Sequence, residues 1–92
     1  MAIVWQCPDP RVRFWHEEAI AHLDIRELLI EGGRPYELIM ACVGKMGRGD
    51  TLAIHALFEP KPLIARLQRR GFICGAHREG EDHWIVNVLN PR

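Results

Sequence analysis

Apolar and polar positions alternate over residues 20–26, with Leu23 and Ile25 on one side and His22, Asp24 and Arg26 on the other. That period of two predicts a strand. Leu28, Leu29, Ile30 and Glu31 then lead into Gly32 and Gly33, a flexible break. Pro35 suits the first turn of a helix, where a missing N–H costs nothing. From 35 to 46, Leu38, Ile39, Cys42, Val43 and Met46 recur at three-four spacing, the apolar stripe of a helix that Gly47 and Gly49 stop. Residues 51–58 alternate again, Leu52, Ile54, Ala56 and Phe58 against Thr51, Ala53, His55 and Leu57. The run Glu59-Pro60-Lys61-Pro62 breaks this strand, and a second helix is expected from Pro62. Leu63, Ile64 and Leu67 form its stripe, Arg66, Arg69 and Arg70 its outer face, and Gly71 its cap. A hairpin closes the pattern, with strands at 72–77 and 83–89 about a turn containing Gly80.

The predicted order is β-α-β-α-β-β over residues 20–92, after an N-terminal extension of residues 1–19. Right-handed crossovers put both helices on one face of the sheet. The fold class is therefore α/β, a two-layer sandwich with a four-stranded mixed sheet and two helices on one face. The other sheet face would carry Thr51, Ala53, His55 and Leu57 beside His83, Ile85, Asn87 and Leu89, a surface too apolar to leave wet. The extension holds Ile3, Val4, Trp5, Val12, Phe14 and Trp15. It is expected to pack on the domain or to lie at a dimer contact, with the open sheet face as the place where either would occur.

Composition narrows the chemistry. Ninety-two residues fit one domain. Twelve basic residues balance twelve acidic ones, so no global field draws in nucleic acid or membrane. No apolar run approaches the ~20 residues of a membrane span. The first residues lack the basic and apolar regions of a signal peptide, and a cytoplasmic location is expected. Cys7, Cys42 and Cys74 are odd in number and lack zinc spacing, which fits reduced thiols. No serine occurs in the chain, which removes serine nucleophiles.

Leu23-Asp24, the Gly32-Gly33-Arg34-Pro35 helix start and Gly49-Asp50 before the next strand resemble the TusA-like, or SirA-like, superfamily of sulfur-relay proteins. The run Phe58-Glu59-Pro60-Lys61-Pro62-Leu63, with Arg70-Gly71-Phe72 and Trp84, is similar to an uncharacterised branch of it. Domains of that branch carry a Phe/His-Glu/Asp-Pro-x-Pro-Leu motif and are sometimes fused to hemerythrin-like, cation-binding domains. The resemblance implies the same β-α-β-α-β-β fold. It also exposes a departure. Counting back from Pro35, the family's persulfide-carrying cysteine falls on Gly32 and its first proline on Gly33. Sulfur transfer by the family's usual mechanism is therefore not available. Cys7-Pro8-Asp9-Pro10 repeats the Cys-Pro-x-Pro pattern, but it precedes the fold and opens no predicted helix.

In such a fold the end of the first strand and the start of the first helix lie together. Gly32 and Gly33 would offer N–H groups there, with Arg26 and Arg34 near by and Lys61 opening at the same edge, the makings of an anion site. The expected binding surface is Arg26, Glu31, Gly32, Gly33, Arg34, Pro35, Glu59 and Lys61, presented by loops 31–35 and 58–63. His55, His77 and His83 could share the open face, but nothing in their spacing forces them to converge on a metal. Cys42 and Cys74 fall on core positions. The expected function is a non-enzymatic binding or protein-interaction module without catalytic residues, metal or cofactor, taking an unknown protein partner or a small anionic ligand. Two other readings stay open. One is a sulfur-relay or redox component using another cysteine; the other is a metal- or cofactor-binding domain using histidines.

Overall fold

The computed structural model describes residues 3–92. Its elements run β1 (Arg13–Glu17), β2 (Ile20–Asp24), α1 (Arg26–Ile30), α2 (Tyr36–Val43), β3 (Thr51–Ala56), α3 (Lys61–Arg69), β4 (Ile73–Gly80) and β5 (His83–Leu89). The strands form one five-stranded sheet in the order β1-β2-β3-β5-β4. Only β2 and β3 are parallel; every other neighbouring pair is antiparallel. The small mixed α/β architecture is the one expected, enlarged from four strands and two helices to five and three by β1 and α1.

Both additions have local causes. The β1–β2 hairpin turns on Glu18 and Ala19, whose φ values are +52° and +67°. A two-residue turn with both central residues left-handed ordinarily takes asparagine or glycine, so Glu-Ala carries no turn signal. Helix α1 is five residues long, too short to display a stripe. Its end explains the two glycines. Gly32 has a φ of +78°, and the N–H groups of Gly32 and Gly33 donate to the Leu29 and Leu28 carbonyls at 3.0 and 2.9 Å. This is the Schellman closure of a helix. A side chain on Gly33 would also collide with the buried Leu28 side chain. Gly71 closes α3 the same way, as the sequence predicts: φ is +95°, and Gly71 and Phe72 donate to Gln68 and Leu67.

The core lies between the sheet and the helices. Leu23, Leu52, Ile54, Val86 and Val88 from the strands meet Leu28, Ile39, Cys42, Val43 and Leu67 from the helices. The alternation in β3 divides Leu52, Ile54 and Ala56 into this core and Ala53 and His55 to the opposite face, as expected. The strand ends at Ala56, however, and Phe58, expected on the core side, is exposed. The segment before β1 joins the helix side. Ile3 is 1% exposed, Val12 is buried, and Trp5 meets Phe14 edge to face at 5.5 Å. His16 Nε2–H donates to the Ile3 carbonyl at 2.7 Å, which ties this segment to β1. Its aromatic residues therefore add to the helix-side core, and Trp15 of β1 is the one that reaches the open face, opposite His22.

Candidate functional site

Pro35 and Pro60 sit at the caps of α2 and α3, and neither helix start receives a side-chain hydrogen bond. The first N–H groups of α2 are thus left to whatever lies in front of them, whereas in α3 the Lys61 N–H donates to the Glu59 carbonyl and Pro62 carries none. The positive ends of both helix dipoles lie at this edge. Between the two starts runs an open groove of about 630 Å³. Ile25, Leu29, Ile39 and Leu63 make it apolar, Pro35, Phe58, Pro60 and Pro62 wall it, and Arg34, Tyr36, Glu37 and Arg66 supply its polar groups. The Arg66 guanidinium lies 4.6 Å over the Tyr36 ring, a cation–π contact that spans α2 and α3. Hydrogen bonding and charge from Arg66 hold the Tyr36 hydroxyl below its usual value, against burial and with help from Arg70. Phe58 is a large apolar side chain left 53% exposed at the mouth.

The two loops singled out in the sequence meet here, but not all of their residues do. Arg34 and Pro35 line the groove. Gly32 and Gly33 do not supply an anion site, because their N–H groups are consumed in closing α1. Glu31 turns to Arg11, 3.7 Å away. The Glu59 carbonyl accepts the Lys61 N–H at 2.9 Å, so both residues shape the turn into α3, and neither lines the groove. Arg26 is clamped on Asp24 by its backbone N–H (3.0 Å), Nε (3.0 Å) and Nη2 (2.7 Å). Burial alone would raise the Asp24 carboxyl, but these bonds and the Arg26 charge hold it below its usual value. The same Asp-x-Arg clamp recurs at Asp9 and Arg11, where it holds Asp9 at about 2. Tyr36 escaped sequence reasoning, its one signal being that it follows a helix-starting proline. The sequence marks Arg66 only as part of the outer basic face of the second helix, not as a partner of α2.

Two of the three thiols offer little nucleophilic chemistry. Cys42 is fully buried, and burial pushes it up to about 12, with the neighbouring Cys7 adding to the rise. Burial raises Cys74 as well. Both shifts run opposite to those that activate a thiolate.

Across the open face the histidines make a row. His22 Nδ1 and His55 Nε2 are 3.0 Å apart, and His55 Nδ1 and His83 Nε2 are 2.8 Å apart. Trp15 lies parallel to His22, ring centroids 5.0 Å apart. The register causes this. His22 pairs with Ala53 and His55 with Ile85, so the three histidines fall on diagonal positions of β2, β3 and β5 on one face. His77 shares that face opposite Ile85 but turns outward to Glu79 at 2.7 Å, and His22 takes the place expected of it. Among the described residues, no set of three or more His, Cys, Asp and Glu is grouped to hold a metal ion. No helix among them is long and apolar enough to cross a membrane.

The described residues form a small α/β domain with an apolar, cation-flanked groove at one edge. The chain belongs to the family of uncharacterised conserved proteins DUF2249, whose model matches residues 22–89. The match begins within β2 and ends with β5, leaving β1 and the segment before it outside. No curated protein and no solved structure matches the chain.

Proposed function

We propose that the chain is a non-enzymatic binding module of TusA-like kind that has lost the sulfur-carrier cysteine. Its ligand is an acidic, apolar segment of a partner protein, received in the groove between the starts of α2 and α3. One observation carries the reading: Arg34 and Pro35 from one loop and Phe58, Pro60 and Pro62 from the other line the same groove. Charge complementarity supports it further. The open start of α2, the dipole of α3 and two guanidinium groups favour an anion, while the apolar floor and exposed Phe58 favour a hydrophobic side chain beside it. Glu37 at the wall would discriminate against a wholly anionic ligand. A relay through Cys42 or Cys74 has less support, since burial holds both in the thiol form.

The test is an amide shift titration of ¹⁵N-labelled protein with an acetylated peptide carrying leucine beside two aspartates. Shifts should centre on Leu29, Tyr36 and Leu63, and Arg66→Glu should abolish them while the rest of the spectrum is kept. Shifts centred on β3 and β5, or no saturable shift at millimolar peptide, would count against the groove.

A further inference from the structure

The row of histidines on the open face is independent of the groove and has a chemistry of its own. Three neutral imidazoles carry three ring protons on six nitrogens. Two of those protons occupy the N–H···N bonds His22–His55 and His55–His83. The third sits on one of the two end nitrogens, His22 Nε2 or His83 Nδ1. Both bonds must point the same way in the neutral row, so moving the end proton from one terminus to the other reverses both. His55 is the hinge of this arrangement, because both its nitrogens are engaged and it is 8% exposed.

We propose that His22, His55 and His83 form a single-proton acceptor, a row that takes one proton from an acid in solution and shares it between its two ends. The bare end nitrogen forms the new N–H bond with its lone pair, and the acid's bond to that proton breaks with the electron pair leaving on the conjugate base. No bond within the row is lost. Both ends then carry N–H, and release from either end restores a neutral row. A second proton would have to enter one of the N···N contacts, leaving two donors facing each other at about 3 Å. The row therefore has a capacity of one, where three separate histidines have a capacity of three.

The surrounding charges suit this role. From β1, Glu17 Oε1 lies 3.8 Å from His22 Nε2, which favours a proton at that end, and the Arg13 guanidinium lies over the Trp15 ring. Asp24 of β2 faces His55 across the strand pair but is engaged by Arg26 of α1. On β4, His77 and Glu79 are paired with each other. On β5, His83 Nδ1 has no hydrogen-bond partner among the described residues, and His83 is only half-buried, so an acid in solution can reach that end.

The test follows imidazole ¹⁵N and ¹H shifts of the full chain from pH 8 downward, over the range in which the amide spectrum stays native. His16 and His77 serve as references, since they stand outside the row. His22 and His83 should shift together with one midpoint, and the row should take up one proton. In His55→Gln the ends are uncoupled, and uptake by His22 and His83 should double to two. If His55→Gln does not fold, the wild-type titration decides alone. Two or three protons entering the native row, or separate midpoints for His22 and His83, would overturn the proposal.

Discussion

Removing residues 1–19 is expected to cost most of the folding stability, although the family match begins only at residue 22. The segment supplies an entire edge strand, and β1 is hydrogen-bonded to β2 along its five residues. Without it, β2 becomes an edge with unpaired N–H and C=O groups. Fully buried Ile3 and buried Val12 leave the core, with the half-buried Trp5 and Phe14. Ile3→Ala alone is expected to cost about 2–5 kcal/mol, the range for truncating a buried isoleucine. A domain of this size has roughly 5–15 kcal/mol in total. Urea unfolding followed by circular dichroism checks both variants. The shortened chain should be largely unfolded or aggregated without denaturant, and an unchanged midpoint would contradict the packing described.

Stability is also expected to fall as the pH drops from about 7 to 5. Burial pushes His55 below the ordinary imidazole value; the Asp24 charge opposes this, and His22 and His83 reinforce it. A base whose folded value is depressed binds its proton more readily when unfolded. Its contribution is present above the unfolded value of 6.5 and is lost as the pH falls toward the folded one. The slope for one such proton is at most about 1.4 kcal/mol per pH unit. Asp24 acts in a different window. Its folded value is lowered from 3.8, so its contribution is intact above that pH and disappears only in stronger acid. Urea midpoints at pH 7.5, 6.0 and 5.0 should therefore decline steadily, and His55→Gln should flatten the decline. A flat wild-type profile would be inconsistent with a buried neutral His55.

Where residues report on their own neighbours, the sequence was legible. Leu52, Ile54 and Ala56 face the core because strand side chains alternate, and Gly71 ends α3 because a left-handed residue must stand there. Gly32 and Gly33 carry the same helix-ending geometry, but it was hidden because α1 before them is too short to show a stripe. Glu18 and Ala19 adopt positive φ under the demand of strand pairing, against their own preference, so β1 could not be foreseen from its turn. The candidate site divides on the same line. Arg34 and Pro35 mark a helix start in any context. Tyr36 meets Arg66 only because α2 and α3 pack side by side, and His22 meets His55 and His83 only through a register that links three strands.

The central claim is that both loops present one groove that reads negative charge beside an apolar side chain. It is tested most directly by exchanging charge on both partners and measuring Kd by calorimetry. Wild-type protein should bind the leucine–diaspartate peptide at least about tenfold more tightly than its dilysine counterpart, a difference of about 1.4 kcal/mol. The Arg34→Glu, Arg66→Glu protein should reverse that order. The same preference in both proteins, or no preference in either, would contradict the account.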